Sequence, residues 1–188
     1  MVVAGTGAGS DTDIWPIALN EVLGTKFKLV TGYQGTQEIF LAMERGEAHG
    51  RCVISHSALK IAKPDWLRDN KVNVLLVTAL ARSAEFPNVP AAVDLVGNDD
   101  DRRLLELLAG PAAIARPFAG PPGLPPSKAA LLRRAFDAMV ADPQFIAEAT
   151  KIGAELAPST GEEVQRMVER LYGAPAAVIE RAKKLSSQ

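Results

Sequence analysis

Apolar residues along this chain change period several times, and each change marks an element. Val2-Val3-Ala4 is a short apolar run that breaks on the alternate glycines Gly5, Gly7 and Gly9, after which Ile14, Ile17, Ala18 and Val22 recur at helical spacing. The pattern predicts a strand, a glycine loop and a helix, with Gly24 as the helix stop. The same succession follows at once. Residues 26–31 alternate as a half-exposed strand, Gly32-Tyr33-Gln34-Gly35-Thr36 turns the chain, and Ile39, Leu41, Ala42 and Met43 give an amphipathic helix closing near Gly46. Residues 51–54 read as a third short strand, followed by a polar loop through Ser55, His56 and Ser57. Residues 64–67 look like a helical turn. The run at 72–77, apolar almost throughout, predicts a buried central strand covered on both faces, as in a parallel sheet flanked by helices.

The second half is richer in helix. Residues 85–90 are irregular, and residues 99–108 read as a helix opened by an acidic run. A short strand is expected at 112–115. Beyond the prolines, Ser127 is expected to cap a helix whose apolar positions include Leu131, Leu132, Ala135, Phe136 and Met139. That helix stops before Asp142-Pro143, and residues 145–151 form another. Thr160 with Glu163 fits a capping box for a helix with Val164, Met167, Val168 and Leu171 on its buried face. A last amphipathic helix over 175–185 carries Arg181, Lys183 and Lys184 as a solvated final turn. The change in composition near Arg82 sets the expected boundary between two lobes, 1–82 and 83–188.

Composition narrows the function classes. The 188 residues, 47% hydrophobic and 23% charged, suffice for one large domain or two small lobes. A net charge of −1 leaves no basic footprint for nucleic acid and no polybasic patch for a membrane surface. The one cysteine, Cys52, permits no internal disulfide. No run reaches transmembrane length, and Met1 opens directly on a strand, so no export signal is expected in this chain.

Candidate chemistry gathers at the first glycine loop. A strand feeding a glycine loop into a helix N-terminus leaves backbone N–H groups unpaired beside the positive end of the helix dipole, which suits an anion. The backbone of Gly7, Ala8 and Gly9 and the hydroxyls of Thr6, Ser10 and Thr12 are the candidate donors. A dinucleotide fingerprint lacks its third glycine in register, and a phosphate-binding Walker loop lacks the Gly-Lys-Ser/Thr that must follow. A plain turn, with Ser10 or Thr12 as N-cap and Asp13 in the first helical turn, competes with small-anion or carboxylate binding. The second loop adds Tyr33, Gly35 and Thr36. Parallel strands present their carboxyl ends to one edge, so both loops are expected to line a shared crevice. His49, Cys52 and His56 would share one face of a helix, but Gly50 and the pair Val53-Ile54 oppose helix, so no metal site is expected. Asp11 and Asp13 are read as acids complementing the helix dipole rather than cation ligands. No nucleophile, base and orienting group stand out, so neither catalytic residues nor a cofactor are expected.

The ordered set of motifs resembles the solute-binding receptors of tripartite tricarboxylate transporters, the Bordetella uptake gene family. It is carried by Thr6-Gly7-Ala8-Gly9-Ser10, by Thr31-Gly32-Tyr33-Gln34-Gly35-Thr36 with Leu41-Ala42-Met43-Glu44-Arg45-Gly46-Glu47, and by Asn88-Val89-Pro90. Arg116-Pro117-Phe118, Pro121-Pro122-Gly123-Leu124-Pro125, Leu132-Arg133, Ala135-Phe136-Asp137 and Asp142-Pro143 continue it over nearly the whole chain. The resemblance implies an α/β type II periplasmic-binding-protein-like fold, two lobes around a cleft, here truncated at the N-terminus. It implies non-catalytic capture of a di- or tricarboxylate or related acid by main-chain donors, in the periplasm, for membrane permease subunits. Carried over by position, the ligand loops are 7–12 and 33–36, with Ser55 after the third strand. Members commonly carry Asp where this chain has His49, and they begin with an export signal, a first-lobe strand with its ligand loop, and the opening strand and helix of the second lobe; by the resemblance, this chain is expected to start after all of these. An incomplete sheet would then be covered by a homodimer. The alternatives are a dimerising interaction module without transport and a nucleotide-dependent α/β enzyme.

Overall fold

The computed structural model describes residues 1–114, 116–154 and 156–187. Three short parallel strands, β1 (Val2–Ala4), β2 (Lys28–Val30) and β3 (Gly50–Arg51), form a sheet in the order β2-β1-β3. Val3 stands beside both Leu29 and Gly50, and Ala4 beside both Val30 and Arg51. Parallel neighbours require crossovers, and helices α1 (Asp11–Leu23) and α2 (Thr36–Glu44) supply them. Gly24 ends α1 in the left-handed conformation, as expected from its position.

Beyond β3, the expected polar loop is instead helix α3 (His56–Ala62), because the Ser55 hydroxyl accepts the N–H of Ala58 and caps it. Helix α4 (Pro64–Arg68) follows. The expected central strand at 72–77 does not form. Its apolar residues face different surroundings: Val72 joins Phe40, Leu59 and Trp66, while Leu75 is 56% exposed. Only Val77 pairs, as an isolated parallel bridge with Ala91, and β1 takes the central position. A continuous apolar run does not by itself supply a partner strand.

A short 3-10 helix (Ala92–Asp94) leads to α5 (Asp99–Ile114). The strand expected at 112–115 is the last turn of this helix for residues 112–114, while Ala115 lies outside the described residues. Pro111 removes one intrahelical bond without ending α5, since Leu104, Leu105 and Ala109 anchor the helix in the core. Helices α6 (Pro126–Val140), α7 (Pro143–Lys151), α8 (Gly161–Tyr172) and α9 (Ala176–Ser186) complete the chain. Pro125, not Ser127, precedes α6, and no side chain caps it. Asp142 caps α7, and the Thr160/Glu163 capping box at α8 is complete.

The chain divides into two compact units, one of residues 1–113 with the chain from 174 onward, the other of residues 114–173. The first boundary lies at 113 rather than at the expected Arg82, because Leu104, Leu105 and Ala109 of α5 pack into the main core with α1, and α9 returns to the same unit. There Val178 and Leu185 of α9 join Trp15, Ala18 and Leu19 of α1 and Leu104 and Leu105 of α5 in the main core. A separate cluster under α2 holds Ala4, Ile39, Ala42 and Ala48, and a third holds Phe40, Leu59 and Trp66. Arg181, expected in a solvated turn, instead ties α9 to two helices, donating to Glu21 of α1 at 2.6 Å and to Asp101 of α5 at 2.8 Å. The second unit contains α6, α7 and α8. Arg133 of α6 donates to Glu162 at 2.9 Å and Gln165 at 2.8 Å at the start of α8.

Candidate functional site

Because the strands are parallel, the loops leaving β1, β2 and β3 emerge at one edge of the sheet. The chain leaves central β1 for β2 and then returns past it to β3, so the order reverses at β1. In open α/β sheets that reversal marks the ligand crevice. Here it places the loop after β1, residues 5–10, opposite the loop after β3, residues 52–55.

The loop after β1 is organised by a carboxylate of the chain itself. Asp13, 3% exposed, accepts at Oδ1 from the Gly7 N–H at 3.1 Å and the Ser10 hydroxyl at 3.0 Å, with the Thr12 hydroxyl at 3.2 Å. Its Oδ2 accepts from the hydroxyl of Thr31, at the end of β2, at 2.5 Å. Thr12 Oγ1 accepts the Thr6 N–H at 2.9 Å and lies 3.0 Å from the Thr6 hydroxyl. Burial acts to raise the Asp13 pKa, but the bonds from Thr31, Gly7, Ser10 and Thr12 outweigh it and hold the group below its ordinary value. Four expected ligand residues, Thr6, Gly7, Ser10 and Thr12, are thus turned onto one another and onto Asp13. Ala8 and Gly9 stay exposed at the tip, Gly9 with φ +80°. Sequence reading placed Asp13 in the first helical turn but missed its organising role. The Ser10-x-x-Asp13 spacing, close to a capping box, was the available signal.

The loop after β2 is arranged differently. Tyr33 is half-buried against the cluster under α2, and its N–H donates to Gly5 O at 3.2 Å. Gly35 precedes α2 in extended backbone that any residue adopts, and Thr36 is the first helical residue. Among the described residues, the N–H groups of Gly35, Thr36 and Gln37 make no hydrogen bond, nor do those of Ala8, Gly9, Asp11 and Thr12.

The residue that sequence reading passed over is Arg51, the last of β3. Its guanidinium is half-buried, donates to Thr36 Oγ1 at 3.0 Å and to Val53 O at 2.8 Å, and stands 5.8 Å from the centre of the Phe40 ring. Among the described residues it pairs with no carboxylate. Burial lowers its pKa, with the neighbouring Cys52 acting the other way. The thiol of half-buried Cys52 is pushed up to about 12 by burial, with Arg51 acting the other way. Val53 takes φ +54°, a strained conformation for a β-branched residue, and its carbonyl receives Arg51. Ser55 is exposed and engaged as the cap of α3.

No protein-family model, curated protein or solved structure matches this chain. A cation without a counter-ion, beside unpaired amides at the start of α2, attracts an anion. The end of β2, where a dinucleotide fold places a ribose-binding acid, holds Thr31 and Gly32. His49 Nδ1 accepts the N–H of Val2 at 2.9 Å and the His56 ring packs edge-on against Phe86. Among the described residues no three His, Cys, Asp or Glu side chains are grouped to hold a metal ion.

Proposed function

We propose that this chain is a non-catalytic binding domain for a small organic carboxylate, a di- or tricarboxylate or a related acid, held at the carboxyl edge of the sheet. Arg51 carries the reading. Its guanidinium, which among the described residues pairs with no carboxylate, meets the amide-bearing start of α2 through Thr36, while the exposed tip at Ala8 and Gly9 supplies further main-chain donors. Asp13 shapes the loop after β1, so the direct contacts fall to Arg51, the amides near Gly35 and Thr36, and those of Ala8 and Gly9. The motif order over the whole chain supports the finer proposal, a receptor of the tripartite tricarboxylate type with two α/β lobes about a cleft, working in the periplasm and delivering its solute to membrane permease subunits.

A second reading, an interaction module without transport, is favoured by the open edges of a sheet of only three short strands. Thermal unfolding of the chain and of Arg51→Met, with mono-, di- and tricarboxylates, separates the two. Binding to the native state alone stabilises it by about 2.7 kcal/mol at a ligand concentration a hundred times Kd. The expected result is a concentration-dependent rise in Tm for the chain and none for a folded Arg51→Met. Equal shifts in both would move the site away from Arg51, and no shift in either would favour the interaction module.

A further inference from the structure

Helix α6 carries its most apolar face outward. Its inner side consists of Ala129, Arg133, Phe136 and Val140, whereas Leu131 and Leu132 are 58% and 57% exposed, Met139 is 38% exposed, and Ala135 between them is exposed as well. Arg133 lies on the inner side. Its guanidinium is drawn onto the start of α8 by Glu162 and Gln165, so closely that a β-carbon on Gly161 would lie 2.6 Å from Nε. With Arg133 facing inward, helical geometry turns Leu131, Leu132, Ala135, Ala138 and Met139 away.

This stripe is symmetric about Ala135. Apolar residues stand three and four positions to either side, Leu132 and Leu131 before it, Ala138 and Met139 after it. Seven positions out along the chain are opposite charges, Lys128 in the first turn of α6 and Asp142 just beyond its end at Val140, where its Oδ1 also caps α7. Neither makes an ion pair among the described residues. We infer that this face is a two-fold interface between copies of this chain, with α6 antiparallel to α6 and Ala135 on the axis. In that register Leu131 of each copy meets Met139 of the other, Leu132 meets Ala138, and Lys128 meets Asp142, so each contact occurs twice, as an isologous interface requires. The small residue on the axis lets the helices approach closely. Lys128, in the first turn of its own helix where the dipole opposes it, gains the negative end of the facing helix. The interface residues all lie in the second unit, whereas Arg51 and the loop after β1 lie in the first.

Sedimentation or light scattering of the full chain across a concentration series is expected to show a monomer–dimer equilibrium. Ala135→Glu, which sets two carboxylates face to face at an exposed position, is expected to weaken it by about tenfold or more with helicity unchanged. Ala135→Cys is expected to form an intermolecular disulfide under mild oxidation, whereas Ala130→Cys, exposed on another side of α6, is not. A chain monomeric at every concentration, a dimer unaffected by Ala135→Glu, or equal cross-linking at positions 130 and 135 would overturn the assignment.

Discussion

A β-carbon on Gly5 would lie 2.0 Å from Oδ1 of Asp13. The glycine is therefore fixed by the close approach of a buried carboxylate rather than by backbone conformation. Gly5→Ala must push Asp13 out of its ring of donors, and the expected cost is about 2–3 kcal/mol, read as a lower urea midpoint at unchanged m. Gly35→Ala, with nothing near its β-carbon and an extended backbone, is expected to change stability by no more than about 0.5 kcal/mol. Equal effects at the two positions would show that Asp13 is not held as described.

Asp13 also makes stability depend on pH. Its folded-state pKa is depressed, against the effect of burial, by the bonds from Thr31, Gly7, Ser10 and Thr12. Its contribution is then fully present above the unfolded-state pKa and is lost as pH falls through the folded one. Unfolding free energy should drop below about pH 4, and Asp13→Asn should flatten this part of the profile while lowering stability at pH 7. A variant that keeps the full acid slope would assign the loss to other carboxylates.

Arg181 is placed to fasten the C-terminal helix to α1 and α5. Its pKa is raised, first by the bond to Glu21 and then by that to Asp101. Because the group is partly exposed, a double-mutant cycle with Asp101→Ala should give a coupling of about 1 kcal/mol, shrinking in 1 M salt. A coupling near zero at low salt would mean that α9 is held by Val178 and Leu185 alone.

Ser55 separates capping from ligand binding. Ser55→Ala should cost about 1 kcal/mol through loss of the α3 cap. If its hydroxyl does nothing else, the rise in Tm produced by carboxylates should be the same as in the unaltered chain. A smaller rise would return Ser55 to the binding set.

Where neighbours along the chain decide the outcome, the sequence was readable. The strand, glycine loop and helix at either side of residues 5–10 and 31–35, the stop at Gly24 and the capping box at Thr160 and Glu163 follow from periodicity and from bonds spanning a few residues. The sequence also marks the loop at 5–10 as a candidate anion site. That Asp13 organises this loop is not legible there, because the bond between Asp13 and Thr31 joins residues 18 apart. Arg51 was passed over for the same reason, since its partner Thr36 lies 15 positions earlier.

By itself, then, the sequence determined most of the local elements, though not helix α3 or the absence of strands at 72–77 and 112–114, through side-chain period, turn chemistry and helix capping. Only the tertiary structure decided which strand is central, which face of α6 turns inward and where the charges settle. The run at 72–77 has the composition of a strand but, apart from Val77, finds no partner; Arg133 of α6 faces inward to reach Glu162 and Gln165, while Leu131 and Leu132 face outward. Such outcomes depend on which distant group is near enough to pair, and hydrophobic period carries no information about that.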